Sequence, residues 1–137
     1  MSPRLNDPQE RFGSARVARL ATMNAYGAPH VVPVVFALVG DVVWTAVDAK
    51  PKSTTALRRL DNVRAHPRVS LLVDVYSDDW STLWWVRADG AATILDIEDA
   101  AAGLDALVAK YPQYLQQPPP GPALRIDVTR WSSWSAH

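Results

Sequence analysis

The sequence contains no cysteine, and this absence excludes disulfide bonds, a thiol nucleophile and a thiolate metal site. Histidine is scarce as well, since the chain has only His30, His66 and His137, without the spacing of a metal-binding motif. There is no G-x-S-x-G motif, and the six glycines never come close enough together for a dinucleotide-binding fingerprint. The sequence therefore predicts no metal site, argues against nucleophilic hydrolysis and leaves any catalytic side chain unknown.

Neither sign of charge dominates, because 14 lysine and arginine residues balance 14 aspartate and glutamate residues. A general nucleic-acid-binding protein would carry a basic excess, so we expect no nucleic-acid partner. No apolar run is long enough to span a bilayer, and the first thirty residues lack the apolar segment of a signal peptide. We therefore expect a cytoplasmic protein without a membrane partner, folded as one domain over residues 1–137.

The one concentration of charge is a basic segment over residues 50–68, which holds six of the 14 lysine and arginine residues against a single acid. Leu57, Leu60 and Val63 recur in it at three-residue spacing, which predicts a short helix with one apolar face. A hydroxyl residue from positions 53–55 can cap that helix. Hydroxyls, free backbone N–H groups and cations that meet at a helix start are what a phosphate requires. The segment is either an anion-binding site or a solvated basic helix, and the flanking strands favour the site.

Apolar and β-branched residues in the remaining segments predict six strands, with three helices inserted between them. The second strand, His30–Leu38, contains Pro33, which cannot donate to a strand ladder, so it should be an edge or bulged there. Asp7 before Pro8 predicts the start of the first helix, and Asp96 predicts that of the last. Six short antiparallel strands suit a small barrel better than a sandwich, so the predicted fold class is mainly β with inserted helices.

Six tryptophans are many for a chain of this length, and side chains that large must lie in the core or line a ligand. Alternation sends Trp84 and Trp85 to opposite faces of one strand, so one of them should line a cleft or a subunit interface. Trp131 and Trp134 stand near the C-terminus, where a segment frays unless it is docked. Packing between subunits and stacking on a flat ligand are both open for these residues, and so is ordinary core closure for the C-terminal pair.

With these segments in place, the chain resembles the pyridoxamine 5′-phosphate oxidase-like superfamily of split β-barrels. The resemblance lies in RLATMNAYGAPHVVPVVFAL at residues 19–38, KPKSTTALRRLDNVRAHPRVSLLVDVY at 50–76 and DDWSTLWWVRADGAATI at 78–94. It is strongest with an actinobacterial branch of oxidoreductases that use the deazaflavin coenzyme F420. The resemblance implies a six-stranded antiparallel split β-barrel of the FMN-binding type. It also implies a homodimer with a cofactor site in each groove between the subunits.

In this family, lysine, arginine and hydroxyl residues behind the third strand hold the cofactor phosphate. The matching positions here are Lys50, Lys52, Ser53, Arg58 and Arg59. The ring system lies along the second and third strands of the family barrel. The matching positions are Val32, Pro33, Val34, Val35, Thr45 and Ala46. An aromatic side chain after the fourth strand, supplied by the other subunit, matches Trp80, with Ser81 beside it.

The resemblance implies an oxidoreductase that transfers a hydride between reduced F420 and a small conjugated acceptor. Such a cofactor brings its own hydride chemistry, which explains why the sequence shows no catalytic dyad or triad. The chain is shorter than the vitamin B6 oxidases and lacks their C-terminal substrate-phosphate motif, which argues against pyridoxamine phosphate oxidation. Two alternatives are open: the same barrel with FMN, as an oxidase or reductase, and a non-catalytic barrel that carries a cofactor or tetrapyrrole.

Overall fold

We describe residues 7–47 and 54–137 of a computed structural model of the chain. The strands are β1 (Ala18–Met23), β2 (Pro29–Val34), β3 (Ala37–Val39), β4 (Val42–Ala46), β5 (Arg68–Val75), β6 (Trp84–Leu95) and β7 (Ala123–Ser135). The helices are α1 (Pro8–Ser14), α2 (Thr54–Ala65) and α3 (Ala101–Lys110), and short 3-10 turns cover Trp80–Thr82, Ile97–Asp99 and Pro112–Leu115. None of the helices in these two ranges is both long and apolar enough to cross a membrane.

The described strands form one antiparallel sheet in the order β2-β1-β5-β6-β7-β4-β3. The strands at the two ends of this order, β2 and β3, are consecutive in the chain and are joined only by Val35 and Phe36. A connection of three peptide steps spans at most about 11 Å. The sheet must therefore curl until its two edges approach each other, and this half-barrel confirms the predicted mainly β fold with inserted helices.

The described residues form seven strands where the sequence predicted six, because the expected strand His30–Leu38 is divided. Pro33 lies in an edge strand, as predicted, and lacks the N–H group that a central strand would need. After Val34 the chain leaves its pairing with β1, and from Ala37 it pairs with β4 instead. One continuous strand cannot pair with both β1 and β4, because these two strands lie near opposite edges of the sheet. The chain therefore forms two short strands here instead of one.

Alternate residues of the strands fill the interior of the curled sheet. Leu20, Leu71 and Ile126 come from different strands, and all three are almost completely buried. α2 adds Leu60 and Val63 to the same core, as their spacing predicted. The basic segment therefore contains an amphipathic helix, with its apolar residues turned towards the sheet.

α1 depends on a single buried side chain. Asp7 caps the helix by accepting a hydrogen bond from the backbone N–H of Gln9 at 2.9 Å, as the sequence predicted. Phe12 is fully buried, and its ring centroid lies 5.0 Å from that of Phe36 and 5.1 Å from that of Trp131. An isolated helix of seven residues is not stable in water, so the burial of Phe12 holds α1 in place.

α3 packs against β4 in a second apolar cluster centred on Trp44, which is buried. Gly103 of α3 lies against the indole of Trp44 so closely that an added Cβ would overlap the ring. Asp96 was expected to cap this helix, but its side chain makes no cap hydrogen bond. A 3-10 turn over Ile97–Asp99 intervenes, and α3 begins at Ala101.

Candidate functional site

The predicted phosphate-binding residues are only partly described by the structure. Lys50, Lys52 and Ser53 lie outside the described residues, so their role stays a prediction. Arg58 is exposed on α2, and Arg59 next to it is partly exposed. The first half of α2 therefore presents two guanidinium groups at or near the surface, which is the charge that an anionic group requires.

A buried hydrogen bond fixes α2 on the sheet. Asn62 donates from Nδ2 to Oγ1 of Thr22 in β1 at 3.0 Å, and both side chains are buried. A buried polar group without a partner is costly, so rotation of the helix about its axis would break a bond that water cannot replace. Leu60 and Val63 hold the same face of the helix in the core. The arginines of α2 thus stand on a helix whose orientation is set by β1.

The predicted ring contacts differ in how much surface they expose. Pro33 in the edge strand β2 is exposed, and Val35 after it is partly exposed. Val34, Thr45 and Ala46 are 6%, 2% and 8% exposed, respectively. Val32 is partly exposed but packs against the core. In the single chain, therefore, Pro33 and Val35 of these six offer the outward-facing surface along the edge. The ring-contact role assigned to all six stays a prediction.

The C-terminal end of α3 contacts Phe36, which lies in the connection between β2 and β3. The Nζ atom of Lys110 lies 3.8 Å from the centroid of the Phe36 ring and donates to the carbonyl of Ala15 at 2.6 Å. Burial of the amine, together with the nearby charge of Arg16, lowers the pKa of Lys110 to about 8. The ring faces of Phe36 and Tyr111 act in the opposite direction, because they favour the charged amine. Lys110 therefore links α3 to the connection between β2 and β3.

A closed turn between β5 and β6 carries Trp80, whose side chain is 77% exposed. Asp79 accepts hydrogen bonds from the hydroxyl of Ser81 at 2.6 Å and from its backbone N–H at 3.1 Å. These bonds hold the pKa of Asp79 below its usual value. The hydroxyls of Ser77 and Thr82 donate to the backbone carbonyl of Asp79. These local hydrogen bonds thus fix the backbone of the turn, while the indole of Trp80 remains exposed to solvent.

The strand register places this turn and the β2 edge at the same end of the sheet. Pro33 lies opposite Arg19, and Arg19 lies opposite Leu72. β5 runs on from Leu72 to Val75, and Trp80 follows shortly after. The edge strand and the aromatic turn therefore flank the beginning of β1.

The convex face of the sheet is partly apolar. Its exposed apolar side chains include Met23, Val31, Leu72 and Trp134. Leu72 at its centre lies opposite Arg19 on one side and Arg87 on the other. Exposed apolar residues mixed with arginine and aromatic side chains are typical of a surface that binds another protein.

The tryptophans follow the predicted alternation. Trp84 packs against the core, while Trp85 on the other face lies opposite Trp134. Trp131 closes the core: it contacts Phe12, and its indole N–H donates to Asp41 at 3.1 Å. Core closure therefore accounts for Trp131. For Trp85 and Trp134, packing against a second subunit and stacking on a ligand both stay predictions.

Sequence reasoning missed two features of this region. The capped turn at Asp79 was not predicted, although an aspartate side chain can accept a hydrogen bond from the backbone N–H two residues on. The contact of Tyr111 was not predicted either: its hydroxyl bonds to Phe36, which is 75 residues away. No local pattern connects residues so far apart. Among the described residues, no three histidine, aspartate or glutamate side chains lie together as a metal site would require.

Comparison with known proteins places these observations in a family. A sequence profile described as pyridoxamine 5′-phosphate oxidase matches residues 8–135, which is nearly the whole chain. In a comparison with curated proteins, no sequence matches this chain.

Several solved structures share the fold. A conserved hypothetical protein of Mycobacterium tuberculosis is 24% identical, with a TM-score of 0.75 over 100% of this chain and 86% of its own. A FAD-binding protein of Mesorhizobium loti is also 24% identical, with a TM-score of 0.71 over 97% of this chain and 94% of its own. An F420 reductase is 23% identical, with a TM-score of 0.62 over 90% of this chain and 94% of its own.

Proposed function

Because the chain belongs to the pyridoxamine 5′-phosphate oxidase family, we propose that it is an oxidoreductase that binds a cofactor of the flavin class. The preferred cofactor is F420, and the proposed reaction is hydride transfer between the reduced deazaflavin and a small conjugated acceptor. The observation that carries this proposal is the combination of arginines at or near the surface of α2 with an apolar edge that is exposed at Pro33 and partly exposed at Val35. An F420 reductase of the same fold supports the choice of cofactor.

The residues present fit an anionic tail. Arg58 and Arg59 supply planar guanidinium groups, which suit phosphate and carboxylate groups in a paired geometry. Lys50, Lys52 and Ser53 complete the proposed set on the chain that leads into α2. F420 carries a phosphate and a lactyl-glutamate tail, so its several negative charges would use a broader basic surface than one phosphate requires.

The apolar edge fits a flat ring. Pro33 and Val35 offer side chains against which one ring face can lie, and Trp80 of a second copy would cover it from the other side. The bound deazaflavin supplies the hydride chemistry itself. The chain's own part is to hold the tail with the arginines, to orient the ring along β2 and to exclude water from the groove. This division of labour needs no catalytic dyad.

FMN is the second candidate, and the FAD-binding protein of the same fold favours it. Titration of the purified, cofactor-free protein with F420 and with FMN, followed by fluorescence, separates the two. Tighter binding of F420 and turnover with a conjugated acceptor would support the proposal, whereas tighter binding of FMN would support the alternative. Binding of either cofactor without turnover in a broad acceptor screen would indicate a carrier protein and contradict the enzymatic function.

The arginines of α2 provide the first test of the proposed site. We expect Arg58→Ala and Arg59→Ala each to weaken F420 binding by about 1–3 kcal/mol, the scale of a lost charged hydrogen bond. The matched control is Arg64→Ala on the same helix, because Arg64 pairs with Asp61 at 3.1 Å on the surface. It removes the same charge and should leave the dissociation constant nearly unchanged. Equal effects of all three variants would show that only overall charge matters, and the site assignment would fail.

We also propose that two copies associate through the convex face, which would bring Trp80 of one copy to the β2 edge of the other. Leu72 is 36% exposed between Arg19 and Arg87 in the sheet. A glutamate at this position would pair with either arginine within one chain, so Leu72→Glu should fold. It would also place a charge inside the interface. We therefore expect the wild type to sediment as a dimer and Leu72→Glu as a monomer.

The control for the dimer is Leu115→Glu, because Leu115 is 71% exposed but follows α3, a helix that packs on β4, three strands away from Leu72 in β5. This variant should sediment as the wild type does. A wild-type protein that sediments as a monomer at micromolar concentration would refute the shared groove.

A further inference from the structure

Where the chain passes from β2 to β3, its backbone N–H and C=O groups lie outside the hydrogen-bond ladders of the described strands. Val35 and Phe36 join β2 to β3, and within this connection the chain belongs to neither ladder. Buried N–H and C=O groups require partners, because an unpaired one costs about as much as a lost hydrogen bond. Phe36 is fully buried, so solvent does not supply them there.

Two side-chain hydroxyls supply these partners. Thr45 of β4 donates from Oγ1 to the carbonyl of Val35 at 2.8 Å. The hydroxyl of Tyr111, at the end of α3, accepts from the N–H of Phe36 at 3.1 Å. The same hydroxyl lies 2.9 Å from the carbonyl of Phe36 and 2.9 Å from that of Arg16, and it shares its one proton between them.

The two hydroxyls are themselves well fixed. Tyr111 is 6% exposed and Thr45 is 2% exposed. A tyrosine hydroxyl is protonated at neutral pH and able to donate, and burial raises the pKa of Tyr111 further. Lys110, next to it in the chain, lies over the ring of Phe36. Two residues at the end of α3 thus contact Phe36 in the connection. The hydroxyl of Tyr111 bonds to its backbone, and the amine of Lys110 lies over its ring.

We propose that Tyr111 and Thr45 are positioning residues that set the surface of Pro33 and Val35 on which the cofactor ring lies, an inference that rests on the proposed function. Within residues 7–47 and 54–137, β2 pairs only with β1, and Pro33 has no N–H to donate. The end of β2 is therefore weakly determined by its own ladder. The hydroxyl of Tyr111 bonds to Phe36 just beyond the end of β2, and it thereby connects α3 to the proposed ring-binding surface.

Tyr111→Phe tests the proposal, because it removes the hydroxyl and retains the ring. Two quantities are measured: hydrogen exchange of the Phe36 amide by NMR, relative to the amides of β6, and the dissociation constant of F420 or FMN, whichever the wild type binds. We expect the relative exchange rate and the dissociation constant each to rise by about tenfold, the equivalent of one net hydrogen bond. Thr45→Val should act in the same direction, and Thr45→Ser, which keeps a hydroxyl, should recover most of the loss.

Val69→Ala is the matched control for a general loss of stability. Val69 is a buried residue at the start of β5 that pairs with β6, and the register places it beyond Val31, at the far end of β2 from the connection to β3. It should lower stability without changing cofactor affinity or the relative exchange of Phe36.

The outcomes separate the two hypotheses. If Tyr111→Phe changes cofactor affinity by less than about twofold, or leaves the relative exchange of Phe36 unchanged, the positioning role is overturned and the proposed function survives. If Val69→Ala weakens binding as much as Tyr111→Phe does, the effect is one of stability and the positioning role is again overturned. If the wild type binds neither cofactor, the proposed function fails, and the positioning role fails with it.

Discussion

Replacement of Phe12 by alanine is expected to lower the free energy of unfolding by about 3–5 kcal/mol, the range for large-to-small substitution of a buried aromatic residue. Phe12 is fully buried and is the only buried residue of α1. Its loss would leave a cavity beside Phe36 and Trp131, whose rings lie about 5 Å from it. We expect α1 to detach from the core, because the short helix has no other buried anchor.

Urea unfolding followed by tryptophan fluorescence measures this effect. The control is Tyr26→Ala, which removes an aromatic side chain that is 96% exposed in the turn between β1 and β2. That control should stay within about 0.5 kcal/mol of the wild type. A Phe12→Ala protein that unfolds at the same urea concentration as Tyr26→Ala would show that α1 contributes little to the core.

Gly103→Ala is expected to have the second largest effect, a loss of about 3 kcal/mol at the upper end of the usual cost of overpacking. The added methyl group would overlap the indole of Trp44. Trp44 has little freedom to move away, because it is buried in β4 and the guanidinium of Arg125 lies 5.8 Å from its ring centroid. α3 would have to shift outward, although alanine is intrinsically the better helix residue by about 1 kcal/mol.

The same substitution at Gly13 is the control for this prediction. A Cβ at Gly13 would meet Leu38 at 3.4 Å, at the tight end of ordinary van der Waals contact. Gly13→Ala should therefore be neutral or stabilising by up to about 1 kcal/mol through helix propensity. Thermal unfolding of both variants gives the comparison. Similar melting temperatures for the two proteins would contradict the close packing of α3 on Trp44.

Local rules predicted much of the fold. The pattern Asp7–Pro8 identified the first helix, because an aspartate before a proline satisfies the free N–H groups of a helix start. Pro33 correctly placed its strand at an edge, since it has no N–H for a second neighbour. Alternation placed Trp84 and Trp85 on opposite faces, and the structure shows that Trp84 is the one on the core face. Each of these rules acts over a few residues and needs no knowledge of the partner strand.

Other features could not be read from local pattern. The segment His30–Leu38 is apolar throughout, so nothing in it marks the point where the chain changes from one sheet edge to the other. Asp96 has the form of a helix cap, but the chain forms a 3-10 turn there before α3 begins. Within the candidate site, the residues at 32–35 were predicted as a group of ring contacts. The structure shows that Val34 is buried while Pro33 is exposed.

The sequence by itself determined the types of element, the absence of thiol chemistry and the concentration of basic residues before and within α2, because these depend on composition and on short periodicities. The tertiary structure alone decided that β2 and β3 are opposite edges of one curled sheet. It also decided that the hydroxyls of Tyr111 and Thr45 complete the connection between them. The physical reason is that burial and hydrogen-bond partners depend on which distant segments meet. Tyr111 and Phe36 are 75 residues apart, and the fold brings them within one hydrogen bond.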